Sequence, residues 1–298
     1  MSVKIRQLQA FDAAARLGSF VDAAGAMHVT PAALSLSIRE LEAAVGFRVL
    51  ERTTRRLRLT QAGQGYLAHA QRVLAELAAA DRFARNVVAG HSQVRIATTQ
   101  TIIATLLMPV LGELHQRFPR LRLQPLDIAA SAISDALPKG VTDTAIGVGL
   151  PSDEQFEVRP LLVSRWFAYL RPDHPLARRR RLAWSDLGPY HLYMTHSANY
   201  LKLRAALGKG IEFADVQDST TATAGMAMAS VGTGIAVFPG YVQSLAQVLR
   251  VKGVPIETPS VPHELQIGVR RQPESYAPLH ELRDAIVDAV ARHCAHLT

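Results

Sequence analysis

Cysteine is almost missing from this 298-residue sequence: Cys294 stands alone. One thiol cannot form an internal disulfide, which excludes a stapled secreted scaffold and suits a reducing, cytoplasmic setting. Long apolar runs are missing too. No uninterrupted stretch reaches the roughly 20 residues of a spanning helix. The opening MSVKIRQLQAF has no signal-type apolar core, so no membrane partner is expected. Enzyme motifs are also missing: no H-E-x-x-H, no paired Cys-x-x-Cys, no P-loop and no G-x-S-x-G. Without a nucleophile–base set, neither catalysis nor a cofactor is expected. His293, Cys294 and His296 lack a fourth ligand, so no metal is expected either.

What is present points to a folded, multi-domain chain. Hydrophobic residues make up 48% of it, and its length allows two or three domains with their own cores. The net charge is +8, and it is uneven. Residues 1–60 hold 9 basic and 5 acidic residues, against 24 and 20 in residues 61–298. The densest positive charge therefore sits at the N-terminal end, where it suits a polyanion.

The stretch from Ser19 to Thr60 carries the sharpest pattern. Ser19 and Asp22 read as a helix start, with Phe20, Ala23, Ala24 and Met27 on its apolar face. His28 and Val29 leave a short turn. Thr30 and Pro31 then open a second helix as N-cap and first position. Leu34, Ile38, Leu41 and Val45 form one buried stripe. Ala32, Leu36, Arg39 and Ala43 fall opposite, with Ser35 at the edge. A solvated face would carry more charge; this one suits a groove. Two short helices around a tight turn make a helix-turn-helix. Phe47–Leu50, a basic tip at 51–56 and Leu57–Leu59 read as a wing, with Arg52, Arg55, Arg56 and Arg58 at phosphate height.

These residues resemble the LysR-type transcriptional regulators. The matching pieces are Phe11, Gly18-Ser19-Phe20, Ala23-Ala24, Ala33-Leu34-Ser35, Leu41-Glu42, Glu51-Arg52-Thr53 and Leu59-Thr60-Gln61-Ala62-Gly63. The resemblance implies double-stranded DNA as partner, with Thr30, Pro31, Ala32, Ser35, Leu36, Arg39, Arg52, Thr53, Arg55 and Arg56 at the contact. Pro31 and Leu36 depart from the Gln and the Arg or His common in the family. Fewer polar readers shift weight to thymine methyls and DNA shape.

A first helix over Ile5–Leu17 braces this unit. After Thr60, Ala62, Tyr66, Ala70, Val73, Leu77, Ala80, Ala84 and Val87 recur in steps of three and four, a helix to about Gly90. So narrow a stripe suits pairing with a copy of itself; a helix lying on its own domain is the other reading. From Val94 onward short strands alternate with helices, and 94–148 reads as a βαβαβ unit with a parallel sheet. A similar unit follows, with a strand over 161–170 and others at 190–194, 235–239 and 264–269, and a closing helix from Ala277. The resemblance implies a two-lobed α/β module like the periplasmic solute-binding proteins. The expected fold is α/β: an N-terminal winged helix-turn-helix (1–60), a linker or dimerisation helix (61–90) and an effector-binding domain (91–298). Lobe one is expected at about 91–162 and 268–298, and lobe two at about 163–267.

Thr98, Thr99, Gln100 and Thr101 lie after a strand and at a helix start, where hydroxyls and free N–H groups suit an anion or a polyol. No carboxylate is in view at that turn, and a small organic acid is the expected effector. Thr195, His196 and Thr221 are the candidates from the second lobe, with Ser131 and Gly147 from the first. Gly232-Thr233-Gly234 follows a helix and precedes a strand, the reverse of a dinucleotide loop, and reads as a turn. Arg178–Arg181 reads as a solvated loop. The expected protein is a DNA-binding transcriptional regulator controlled by a small-molecule effector. It is expected to act as a homodimer or homotetramer and, if an activator, to engage RNA polymerase. An effector-independent regulator and an enzyme built on the two-lobed module are the alternatives.

Overall fold

The computed structural model describes every residue except 1, 53–56, 90–91, 196–197, 209, 272–278 and 295–298. It divides into two compact units, residues 1–85 with 138–141, and residues 86–137 with 142–298.

The first unit opens with helix α1 (Ile5–Leu17), which stops at Gly18, a left-handed residue at φ 63°. Helix α2 (Phe20–Ala26) starts on Ser19, whose hydroxyl accepts from the Asp22 N–H at 3.3 Å. His28, at φ 53°, makes the tight reversal. Helix α3 (Pro31–Val45) starts on Thr30, which accepts from the Ala33 N–H at 3.2 Å. Leu34, Ile38 and Leu41 are buried with Phe11, Ala14 and Ala23 in one core. Burying these side chains stabilises the unit by about 1.5–3 kcal/mol for each large one. Strands β1 (Leu50–Arg52) and β2 (Leu57–Leu59) pair antiparallel as the wing, Leu50 opposite Leu59.

Helix α4 (Gln61–Ala89) follows, 29 residues or about 43 Å long. The expected stripe divides in two. Tyr66 and Ala70 pack into the core of their own unit, beside Leu67 and Leu74. Gln71 donates to Asp12 at 2.8 Å, which fixes the same end. Farther along, Val73 is 50% exposed, Leu77 is half-buried, and Ala80 and Ala84 are exposed.

The second unit holds two sheets. Strands β3 (Ser92–Thr98), β4 (Leu121–Asp127), β5 (Thr144–Gly147) and β6 (Phe156–Ser164) belong to the first sheet. Between β3 and β4 lies a continuous helical segment: α5 (Gln100–Ile102), a π-helical turn (Ile103–Leu107) and α6 (Met108–Arg117). Helix α7 (Ile133–Ala136) precedes β5. Strands β7 (Trp166–Leu170), β8 (Leu182–Ala183) and β9 (His191–Met194), helix α8 (Ala198–Leu207), β10 (Asp215–Asp218), α9 (Ala222–Ser230), β11 (Ile235–Pro239), α10 (Ser244–Val248) and β12 (Lys252–Thr258) build the second lobe. The chain then returns to the first with β13 (His263–Arg270) and α11 (Leu279–His293).

The sheet orders are β4-β3-β5-β13-β6 and β10-β9-β11-β7-β12-β8. As the βαβαβ pattern predicts, β3 runs parallel to both β4 and β5. The single strand expected over 161–170 is two strands in different sheets, broken at Arg165. The apolar run through Leu161–Leu170 hides this crossing. The first sheet therefore extends to Ser164 and resumes at His263, beyond the expected limits of 162 and 268. At the crossings Ser164 stands opposite His263 in register. The Gly240 N–H donates to Ser164 Oγ at 3.0 Å and to Arg165 O at 2.8 Å.

Candidate functional sites

The recognition face of α3 is open to solvent. Thr30, Pro31, Ala32 and Arg39 are exposed, Ser35 is half-buried and Leu36 is 52% exposed. Among the described residues the only cation on this face is Arg39, whose Nε donates to Ser35 O at 3.4 Å. The face thus presents small apolar groups, the hydroxyls of Thr30 and Ser35, and one guanidinium. Arg52 pairs through its backbone with Leu57 in the wing. Thr53, Arg55 and Arg56 lie outside the described residues.

The wing is fixed by three motif residues to which sequence reading gives no part in it. Glu42 Oε1 accepts from the Val49 N–H at 2.9 Å and the Leu50 N–H at 3.3 Å. Thr60 Oγ1 donates to Arg48 O at 2.8 Å and accepts from the Gly63 N–H at 2.8 Å. A Cβ on Gly63 would stand 2.0 Å from Val49 O, so only glycine lets α4 start this close to the wing root. Leu-Glu, Leu-Thr and Ala-Gly in the pattern are thus the clamp that sets the wing on α3.

Between the two sheets of the second unit lies a cavity of about 330 Å³. Thr99, Gln100 and Thr101 line it from the first sheet's side, and Thr195 and Thr221 from the second. Gly147 also lines it, and a Cβ there would meet Ile133 at 2.6 Å. Two expected residues do not line it. The Thr98 side chain is fully buried and donates to Ile146 O at 2.9 Å, so its hydroxyl braces β3 against β5. Ser131 is exposed on a 3-10 turn whose neighbours Ala129 and Ala130 reach the cavity instead. His196 lies outside the described residues.

The lining threonines already have structural partners. Thr99 Oγ1 accepts from the Ile102 N–H at 3.3 Å, and Thr221 Oγ1 from the Ala224 N–H at 3.1 Å. Thr195 donates to Ser219 O at 3.1 Å. The expectation of a turn without a carboxylate is corrected by Asp127. It ends β4, lines the cavity, and its Oδ1 accepts from the Gln100 N–H at 2.8 Å. The helix start expected to receive an acid already holds one. Local spacing does not reveal this, because only the pairing of β4 with β3, Asp127 opposite Thr98, brings that carboxylate to the turn.

The remaining walls are apolar: Ile102, Ile133, Met194 and Phe238 among others. Trp166, Tyr241 and His263 also line the cavity, and sequence reading misses all three. Burial pushes the His263 imidazole down to about 4, so it is neutral at physiological pH. Burial pushes the Tyr241 phenol up. Among the described residues no lysine or arginine lines the cavity.

Comparison with known proteins agrees with this division. Residues 5–64 match "Bacterial regulatory helix-turn-helix protein, lysR family", and residues 89–291 match "LysR substrate binding domain". The uncharacterized HTH-type transcriptional regulator YfeR of Shigella flexneri is 29% identical over 295 residues, 97% of this chain and 94% of YfeR. The hydrogen peroxide-inducible genes activator of Dickeya chrysanthemi is 31% identical over 204 residues, 68% of this chain and 67% of that protein. Among solved structures, a full-length OxyR variant from Pseudomonas aeruginosa has a TM-score of 0.62 at 20% identity, covering 98% of this chain and 95% of that one. Full-length CbnR complexed with its target DNA gives 0.63 at 20% identity, covering 97% and 99%.

A winged helix-turn-helix followed by a long helix and a two-lobed module with a cleft defines a DNA-binding transcriptional regulator with an effector-binding domain. The chain belongs to the LysR family.

Proposed function

We propose that the cleft takes a small, uncharged, largely apolar molecule with a hydrogen-bonding group, and that this ligand governs paired DNA-binding units. The observation that carries the reading is the lining itself: apolar walls, a threonine turn, and a carboxylate with no facing cation among the described residues. An acid would bring a second negative charge beside Asp127, an exposed residue whose repulsion works against it even where solvent screens part of it. The small acid expected from the turn alone is therefore the weaker candidate. The face from Thr30 to Arg39 reads the DNA, and Arg52, Thr53, Arg55 and Arg56 hold phosphates. The exposed stripe of α4 from Val73 onward joins copies of the chain into a dimer or tetramer. RNA polymerase is the further partner if the protein activates. The setting is cytoplasmic.

The name of the Dickeya relative raises peroxide as an alternative signal. The sole cysteine is buried and its thiol is pushed up by that burial, so it offers neither an internal disulfide nor a ready thiolate.

The experiment is a thermal-shift panel of neutral, acidic and amine compounds of about 8–15 heavy atoms, on the full chain and on Asp127→Asn. A ligand at 100 times its Kd stabilises by about 2.7 kcal/mol, a readily measured rise in Tm. Neutral compounds are expected to shift the native protein, and acids to gain most from Asp127→Asn. If acids alone shift the native protein and Asp127→Asn changes nothing, the reading is wrong.

A further inference from the structure

Helix α3 turns an apolar crest to solvent. At about 100° per residue, Leu36 points almost directly away from the buried Leu34–Ile38–Leu41 stripe. Ala32 stands one turn before it and Ala43 two turns after it, and both are exposed. Leu36 itself is 52% exposed, the only large apolar side chain among the described residues of α3 to be so. The charged neighbours are tied to either side of the crest. Arg39 Nε donates to Ser35 O at 3.4 Å, and Glu40 Oε2 accepts from Gln7 Nε2 at 3.1 Å.

A single exposed leucine is ordinary on a protein surface. This one has a defined occupant in front of it. Residues 5–64 match the helix-turn-helix model, and residues 1–60 carry 9 basic against 5 acidic residues. The second helix of such a motif enters the major groove with its first turns against base edges, and Leu36 lies in the second turn of α3. A leucine has no donor or acceptor with which to read a base edge. The one apolar group that the groove offers it is the C5-methyl of thymine. Such a contact is blind to the exocyclic group beside the methyl, an oxygen in thymine and an amino group in cytosine.

We infer that Leu36 is a specificity-determining residue that reads a pyrimidine C5-methyl at one base pair of each half-site. The inference rests on the proposed reading of the Thr30–Arg39 face and adds the chemical group that its crest selects. At that base pair the protein distinguishes methylated from unmethylated pyrimidines, so 5-methylcytosine is preferred to cytosine by the same factor as thymine to deoxyuridine. Methylation of cytosine in a site that carries G·C there would therefore strengthen binding.

The probe is a duplex recovered with the full chain from a random-sequence pool of about 60 base pairs, long enough for two half-sites. Each thymine in turn is replaced by deoxyuridine, which removes one methyl and keeps the pairing. At one thymine per half-site the affinity is expected to fall about fourfold, the share of one buried methyl. In the same place 5-methylcytosine is expected to bind about fourfold better than cytosine. Leu36→Ala is expected to keep the native Tm, since Leu36 is not part of the core, and to bring both ratios to about one. Arg39→Ala is expected to weaken every duplex and leave both ratios as they are. If Arg39→Ala weakens binding while no thymine responds to loss of its methyl, or if Leu36→Ala keeps both ratios, the assignment of Leu36 is overturned and the face reading stands. If neither variant alters binding to the recovered duplex, the face reading falls and this inference with it.

Discussion

Replacing Glu42 with alanine is expected to loosen the wing while leaving the helices folded. Glu42 Oε1 is the acceptor for the Val49 and Leu50 N–H groups, and those two residues are 0% and 4% exposed. Water cannot easily replace the carboxylate there. Each stranded buried N–H costs about 1–3 kcal/mol, and the bond to Leu50, at 3.3 Å, is the weaker of the two. The sum is about 2–4 kcal/mol, and it falls directly on the attachment of the wing. The open wing would then be populated some 30- to 1,000-fold more than in the native protein, as an order of magnitude about two decades. Glu42→Gln keeps a carbonyl acceptor and gives up the charge, so it should lose roughly half as much. Two readouts are needed. Hydrogen exchange at the Val49 and Leu50 amides should accelerate in Glu42→Ala, with the α1 and α3 amides unchanged. DNA affinity measured across salt concentrations should fall, with a slope shallower by about 1 for each phosphate that the wing no longer holds. Native exchange rates at both amides in Glu42→Ala would refute the clamp.

Two further outcomes are expected. Leu77→Asp puts a carboxylate on the open stripe of α4 and should raise the dimer dissociation constant at least 100-fold, about 3 kcal/mol; an unchanged sedimentation coefficient at micromolar protein would place the assembly contact elsewhere. His263, held neutral with its value near 4 against an ordinary 6.5, takes up its proton in the unfolded chain first, so stability should fall as pH drops from about 6.5 toward 4, by about 2 kcal/mol at pH 5; urea unfolding at pH 7.5 and pH 5 should show that loss in the native protein and not in His263→Phe.

The sequence is most legible where one helix carries its own signals. Thr30, Pro31 and the Leu34–Ile38–Leu41 stripe place α3 to the residue, because cap, first position and buried face are all local. Helix α4 is legible for the same reason, although its stripe serves two surfaces. Lys252–Thr258 has no strand signal, since Gly253 and Pro255 interrupt it; yet Pro255 sits opposite Phe167 within the β7 pairing. Asp215–Asp218 is too polar to read as a strand, and it pairs only as an edge beside β9. The cleft is half legible. Strand ends and a helix start mark Thr99–Thr101, while Trp166, Tyr241 and His263 come from separate segments that only the topology unites. Helix capping is the rival reading of these threonines from the sequence, and Thr99 and Thr221 do both: each caps a helix and lines the cavity.

The order of strands sets the order in which this protein can be finished as it leaves the ribosome. Every strand of the second lobe's sheet lies in one unbroken stretch, from Trp166 to Thr258. That lobe has all its pairings once about residue 258 is out, and it needs nothing made later. The first lobe cannot do the same. Its sheet is waiting for β13, which fills the gap between β5 and β6, although β5 was made more than a hundred residues earlier. Until then two partly apolar strand edges face an empty slot, the kind of exposure that slows folding and invites misassembly. The second lobe, already formed, holds β6 through the crossing at Arg165 and β13 through 259–262, which brings the last strand beside its slot and shortens the search. Since His263 and Leu265 also line the cavity, the newborn chain meets its effector only after this last strand has docked.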